Sequence, residues 1–131
     1  MDMSSTPVPN ARPASGYSGV RARVQSLISA ERFRDALALM AGLRDLYVTD
    51  PDYLADLALC HWGVDEAQIA IELMGIAVHA APDRAAFFGR LGSMHLSLDQ
   101  TDEARLALER GLRLAPKSAP MLALLDRVNP T

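Results

Sequence analysis

The sequence predicts an all-α fold in which three helical hairpins follow one another and a single helix closes the end. Three observations support this prediction. Alanine and leucine dominate a chain of 131 residues that is 50% hydrophobic, and both residues favour helices. Apolar residues recur at the i, i+3, i+4 and i+7 spacing of an amphipathic helix. A pattern of large, small and proline positions also returns every 34 residues.

The pattern is clearest in residues 85–118, where two amphipathic helices flank the turn at 97–100. Its positions in chain order are Phe88, Leu91, Gly92, His95, Ala104, Leu108, Gly111 and Pro116. One period earlier the same positions hold Leu54, Leu57, Ala58, His61, Ala70, Met74, Ala77 and Pro82. Two periods earlier the pattern is degraded, because Arg23 occupies an apolar position and the proline has moved to Pro51. We therefore divide the chain into repeats at 17–50, 51–84 and 85–118.

These positions resemble the tetratricopeptide repeat (TPR), whose order is large, Leu, Gly, aromatic, Ala, large, small, Pro. Two residues depart from it, since His95 replaces the usual aromatic residue and Asp99 replaces the turn glycine. The resemblance implies three hairpins in a short right-handed superhelix, in which the first helix of each hairpin lines a concave groove. Small residues such as Gly92 and Ala104 are expected where the two helices of a hairpin approach closely.

The first hairpin is predicted to consist of a helix over 18–30 and a second helix from Arg32 through Leu46. Asp50 or Thr49 can cap the next helix, with Pro51 in its first turn. That helix should end at 62–63, where Gly63 permits the left-handed conformation of a helix end.

Both ends of the chain lie outside the repeats. Residues 1–16 carry prolines among serines and little apolar surface, so we expect a disordered tail before a domain at 17–131. An unstructured leader is the favoured interpretation of this tail, and a dimerisation or partner-contact arm is the alternative. Residues 119–129 should form a helix that caps the open end of the stack. Its apolar face comprises Met121, Leu122, Leu124, Leu125 and Val128.

Composition narrows the classes of partner. The net charge is −3 and no basic stripe is present, which disfavours nucleic acid as a partner. No apolar run is long enough to span a membrane, and no signal peptide is recognisable. The single cysteine, Cys60, excludes an intrachain disulfide and fits a reducing compartment. These features predict a cytoplasmic protein.

Candidate chemical groups are few. The chain has no phosphate loop and no nucleophile-elbow motif. Cys60, His61, His79 and His95 are the residues to consider for catalysis or metal binding. His61 and His95 hold the same place in successive hairpins, about 10 Å apart, which is too far for one metal ion. We interpret both as filling an aromatic packing position and Cys60 as a small buried hydrophobe. No catalytic residue, metal or cofactor is therefore predicted.

The resemblance places the partner-binding surface in the concave groove. Chaperone-tail TPR domains hold a C-terminal carboxylate there with Lys and Asn, and neither residue occurs at the groove positions of this chain. Its groove positions are mostly apolar or small, which is typical of a protein-binding surface. The predicted binding residues are Arg21, Gln25, Ile28, Ala55, Leu59, Trp62, Gly89, Arg90, Ser93 and Leu96. Trp62 is the expected anchor, and the alternative is that it is core between the first helices of repeats two and three.

Small proteins of three such repeats resemble bacterial type III secretion chaperones. These hold the hydrophobic translocator subunits or the needle subunit. The resemblance implies a non-catalytic cytoplasmic chaperone that binds an apolar segment of another protein and can form a homodimer. The alternative is a general TPR adaptor or scaffold in another bacterial assembly.

Overall fold

The computed structural model describes residues 16–129 and places most of them in helices. A short 3-10 turn, Tyr17–Gly19, comes first. The helices are α1 Arg21–Ser29, α2 Phe33–Ala41, α3 Arg44–Tyr47, α4 Pro51–Gly63, α5 Ala67–Ala80, α6 Ala85–Ser97, α7 Thr101–Leu114 and α8 Ala119–Val128. Helices α1–α2, α4–α5 and α6–α7 form three hairpins, and α8 packs against α6 and α7. No strand occurs in this part of the chain, so the predicted all-α fold is confirmed. The predicted tail lies outside the described residues except for Gly16.

The turn inside each hairpin has the same backbone geometry three times. Glu31, Asp65 and Asp99 have φ values of 58°, 66° and 59°, and they lie 34 residues apart. After each of them an amide donates to a carbonyl five residues earlier. The pairs are Arg32 to Leu27, Glu66 to His61 and Gln100 to His95, at 2.8, 2.9 and 2.9 Å. This is the Schellman end of a helix, in which glycine usually takes the left-handed position. The sequence period is thus also a structural period, present even in the degraded first repeat.

We expect Glu31→Gly to raise the free energy of unfolding by roughly 0.5–1 kcal/mol. A left-handed conformation costs about 1–2 kcal/mol for most side chains, and the greater unfolded-state freedom of glycine offsets part of the gain. Aspartate tolerates this conformation better, so Asp65→Gly and Asp99→Gly should raise the free energy of unfolding by a smaller amount. Urea unfolding measures the difference. Ala30→Gly is the control and should destabilise, because Ala30 has a φ of −84°. A loss of stability in Glu31→Gly would show that the Glu31 side chain stabilises the turn.

The first hairpin departs from the predicted helices. Its first helix starts at Arg21 after the 3-10 turn, and its second helix breaks after Ala41 where one helix through Leu46 was expected. In a continuous helix the Met40 carbonyl would accept from the amide of residue 44. Here it accepts from the Leu43 amide at 3.0 Å and from the Tyr53 hydroxyl at 2.7 Å. This inserted side chain, together with the low helix propensity of Gly42, explains the break.

Close helix contacts account for several glycines. A Cβ at Gly92 would lie 2.7 Å from Leu108 Cγ, which is shorter than real Cβ contacts, so α6 and α7 pack as the small residues predicted. The helix ends at Gly63 as predicted, but Gly63 does not take the left-handed conformation that was expected there. Asp65 takes the left-handed conformation, whereas Gly63 makes room for the Phe33 ring, with which an added Cβ would collide.

Helix α4 begins at an aspartate cap. Asp50 accepts from the Asp52 and Tyr53 amides at 2.8 and 3.4 Å, with Pro51 in the first turn as predicted. Helix α8 is capped by Ser118, which accepts from the Met121 amide at 3.4 Å. Met121 and Val128 are buried in a cluster with Ala104 and Leu108. Leu122, predicted on the same face, is exposed on the other side of α8.

Candidate partner-binding surface

A cavity of about 140 Å³ lies between the first helices of hairpins two and three. Four of the predicted binding residues line it, together with Met94 and Ser97. Those four are Leu59 and Trp62 from α4, and Arg90 and Ser93 from α6. Residues three and four apart on a helix lie on one face, so each helix contributes a neighbouring pair. The structure therefore brings these four side chains together, and we call them, with Met94 and Ser97, the Trp62 cavity.

Trp62 takes part in both the core and the surface. Its side chain packs, like that of Leu59, against the buried cluster that includes Ala55, Ala58 and Met94. It is nevertheless only partly buried and lines the cavity. An apolar ring anchored on one side and open on the other suits a binding hot spot.

Arg90, which lines the cavity, carries one unsatisfied polar group. Its Nη1 atom is buried and has no hydrogen-bond partner among the described residues. A buried donor without a partner costs about 1–3 kcal/mol, so such groups usually meet a ligand or water. The Trp62 cavity thus combines apolar walls with one cationic side chain.

The remaining predicted residues lie elsewhere. Ala55 is fully buried and offers a partner no surface. A Cβ at Gly89 would lie 3.2 Å from Met121 Cγ, so this glycine faces α8 and not the space beside Trp62. Leu96 packs in the cluster beneath α8, Ile28 packs against the first hairpin's cluster, and Gln25 is exposed on α1. The predicted groove is therefore divided, and only its central part forms one cavity.

Arg21 is occupied by an internal ion pair. Its Nε and Nη2 atoms donate to Asp56 Oδ2 and Oδ1 at 2.8 and 3.2 Å. The Tyr17 hydroxyl donates to Asp56 Oδ2 at 2.6 Å, and the Asp56 carboxylate is completely buried. Burial and this hydrogen bond raise the pKa of Tyr17. The bond to Asp56 likewise raises the pKa of Arg21.

A second carboxylate extends the network towards the third hairpin. Asp52 Oδ1 lies 3.6 Å from Arg21 Nη1 and accepts from Arg84 Nη2 at 2.9 Å. The Arg84 guanidinium also lies over the Phe87 ring, 4.2 Å from its centroid. These charges join the 3-10 turn, α1, α4 and the start of α6, so Arg21 is not free to hold a partner's carboxylate.

Sequence reasoning missed Asp56. It stands in the apolar run YLADLALC at positions 53–60, where a charge has no place on an amphipathic face. Charged residues are almost never fully buried unless paired. The sequence could thus predict that Asp56 has a polar partner. It could not predict that the partner is Arg21, which is 35 positions away and reaches Asp56 only through the packing of the hairpins.

His61 and His95 bridge the turns of the second and third hairpins, whereas His79 is exposed in the last turn of α5. His61 Nδ1 lies 2.7 Å from Glu66 Oε1, and His95 Nδ1 lies 2.7 Å from Gln100 Oε1. Each pair bridges the turn that the Schellman bonds also close. Cys60 is buried next to Met40, and burial raises the pKa of its thiol to about 11, which keeps it neutral at pH 7. No group of three or more His, Cys, Asp and Glu side chains suited to a metal occurs in residues 16–129.

Comparison with known proteins identifies the fold. No protein-family model and no curated protein sequence matches the chain. The first TPR of Spaghetti (RPAP3) bound to an HSP90 peptide is similar in structure, with a TM-score of 0.79, 16% identity and coverage of 88% of this chain and 92% of that one. The type III secretion chaperone SycD of Yersinia enterocolitica, in complex with a peptide of the translocator YopD, is similar with a TM-score of 0.75 and 13% identity. The match covers 86% of this chain and 91% of that one. PcrH in complex with the chaperone-binding region of PopD has a TM-score of 0.69 and 20% identity, with coverage of 86% of this chain and 84% of that one.

The structural similarity to these proteins covers most of each chain and is a similarity of backbone fold. Identities of 13–20% show a shared fold only. No helix among the described residues is long and apolar enough to cross a membrane. The chain has the helical-hairpin fold of a tetratricopeptide-repeat domain.

Proposed function

We propose that the chain is a non-catalytic, cytoplasmic protein-binding module that holds an apolar segment of another protein in the Trp62 cavity. The observation that carries the proposal is the cavity itself, with a half-buried tryptophan on one wall and Arg90 on the other. Apolar walls bury the partner's side chains. The Arg90 guanidinium has only hydrogen-bond donors, so it binds a carbonyl or carboxylate of the partner.

The specific partner in this proposal is a type III secretion substrate, either a translocator or the needle subunit. One of the similar structures, SycD, is a complex with a peptide of the translocator YopD, and another, PcrH, is a complex with the chaperone-binding region of PopD. The internal pairing of Arg21 with Asp56 supports an apolar ligand, because this arginine is unavailable for the terminal carboxylate that chaperone tails present. A general adaptor in another bacterial assembly is the alternative partner class, and it would use the same cavity.

Trp62→Ala should weaken binding of the partner segment about 30-fold, which corresponds to about 2 kcal/mol for an interface anchor. The probe is a set of synthetic apolar segments from type III translocator and needle subunits. Binding is followed by fluorescence of Trp62, the only tryptophan, in the wild type and by calorimetry in both proteins. Circular dichroism of the variant should remain close to that of the wild type.

Leu106→Ala is the matched control, since Leu106 is an exposed apolar residue of α7 outside the cavity. The affinity of this variant for the partner segment should equal that of the wild type. Unfolding of Trp62→Ala would assign the residue to the core. A folded Trp62→Ala that binds at full strength would place the partner on another face. Binding of none of the segments, with capture of an unrelated assembly protein through Trp62, would favour the adaptor.

A further inference from the structure

Two adjoining cavities lie between the second helices of hairpins two and three, whereas the Trp62 cavity lies between the first helices. Their volumes are about 390 and 140 Å³. They adjoin because both are lined by Pro82, Phe88 and Arg110. The remaining lining is Gly75, Val78 and His79 in the larger cavity, and Arg113 and Leu114 in the smaller one. We call these residues together the Arg110 site.

The charged side chains of the Arg110 site are arginines. Arg110 and Arg113 line it together with His79, and no acidic side chain of the described residues does. Neither guanidinium has an ion-pair partner among residues 16–129. The two arginines are three positions apart on α7, so they share one face, where like charges repel each other. In a chain with a net charge of −3, this pair is a local positive region that suits an anionic ligand.

Phe88 positions the Arg110 side chain. The guanidinium carbon lies over the Phe88 ring, 5.4 Å from its centroid. An arginine on an aromatic face keeps its N–H groups available for a carboxylate, and the contact with the ring favours one position of the side chain. Phe88 is buried in turn, with 5% of its surface exposed, so the guanidinium rests on a fixed support. Arg110 is thus a positioned donor at the junction of the two cavities.

Gly75 is a helical glycine that no neighbouring element requires. It lies inside α5, where glycine is the least favourable residue apart from proline. A Cβ added to it would meet no atom of another element within 4 Å, whereas the glycines of α4, α6 and α7 each have a side chain within 3.2 Å of an added Cβ. The helix dipoles favour basic residues such as His79 and Arg113 in the last turns of α5 and α7, but they give no reason for this glycine. The space above Gly75 is therefore room for a close approach by a ligand.

We propose that the Arg110 site is a second partner-binding surface, which takes an acidic linear segment of another protein. A side-chain carboxylate of the segment is held by Arg110 and Arg113, and a neighbouring apolar side chain fills the larger cavity beside Gly75. Arginine is the side chain best suited to a carboxylate, because its N–H groups form a planar fork. The larger cavity, at about 390 Å³, falls within the roughly 300–1,000 Å³ of typical ligand sites. The proposal does not depend on what occupies the Trp62 cavity.

Heteronuclear NMR titration of the full chain tests this proposal. The probe is a pool of synthetic pentapeptides with Phe, Tyr, Trp or Leu at the centre of four acidic residues. The matched control pool carries Asn and Gln in place of Asp and Glu. We expect the acidic pool to shift the amide resonances of α5 and α7 at the Arg110 site, and the control pool to leave them unchanged. Arg113→Gln should weaken binding of the acidic peptides about tenfold, as expected for the loss of a hydrogen bond between charged groups.

Three further variants make the test specific. Arg23→Gln removes the same charge from an exposed position on α1 and should leave the affinity unchanged. Gly75→Leu fills the open space above α5 and should abolish binding. Its melting temperature should not fall, because leucine is a better helix former than glycine. Trp62→Ala should bind the acidic peptides at full strength, because its cavity lies between the first helices.

Several results would overturn the proposal. One is an acidic pool that does not bind, or a control pool that binds equally well. Another is an equal loss of affinity in Arg23→Gln and Arg113→Gln, since the attraction would then be one of net charge alone. Full-strength binding by Gly75→Leu would show that the peptide does not enter the larger cavity. Loss of peptide binding in Trp62→Ala would place the acidic peptides in the Trp62 cavity instead.

Discussion

Replacing Asp56 with alanine should lower the free energy of unfolding by about 3 kcal/mol. The substitution leaves the Tyr17 hydroxyl buried without an acceptor and the Arg21 guanidinium without its bidentate partner. Removal of one partner from a buried ion pair costs about 3–5 kcal/mol, and the lower end applies because Arg21 is 25% exposed. Urea unfolding followed by circular dichroism measures the loss.

Two companion variants separate the charge from the packing. Asp56→Asn keeps one acceptor oxygen and the side-chain volume, so it should cost less than alanine. Asp52→Ala removes a carboxylate that is 31% exposed and should cost less than about 1 kcal/mol. If Asp56→Ala were no worse than Asp52→Ala, the network would contribute little to stability, and the buried carboxylate would need another explanation.

The repeat architecture was predictable because its signal is redundant. The second and third hairpins repeat the same large, small and proline positions, so the degraded first copy could be aligned through them. Gly92 then packs against Leu108 as its position required. The break in the first hairpin was not predictable, since it depends on the Tyr53 hydroxyl reaching the Met40 carbonyl from another helix.

The candidate site was predictable only where its residues are close together in the sequence. Leu59, Trp62, Arg90 and Ser93 lie within single helix turns of α4 and α6, and they meet as the helix period implies. Gly89 was predicted as a groove residue too, but Met121 covers it, because the helix period does not say where α8 packs. Asp56 belongs to a long-range pair, which leaves a signal in the sequence only as an acid among apolar neighbours.

Removal of residues 119–131 should abolish cooperative unfolding and cause aggregation. The deletion strips α8 from α6 and α7 and uncovers the cluster of Ala104 and Leu108, so the last hairpin exposes its core face to water. Gly111 would face solvent in place of the Met121 sulfur, which would lie 2.5 Å from a Cβ added there. Size-exclusion chromatography and thermal unfolding measure the effect.

A pair of substitutions on α8 makes the same test within the full chain. Met121→Asp places a charge in the buried cluster and should reproduce the loss of the deletion, because an unpaired buried charge costs several kcal/mol. Leu122→Asp changes the neighbouring residue on the exposed side and should cost less than about 0.5 kcal/mol. The contrast matters because the deletion also removes residues 130–131 and the contact of Asn129 with Arg105. A soluble, fully helical truncated protein, or equal effects of the two aspartates, would contradict a capping role for α8. In that case the third hairpin would be stable through its own contacts with α4 and α5.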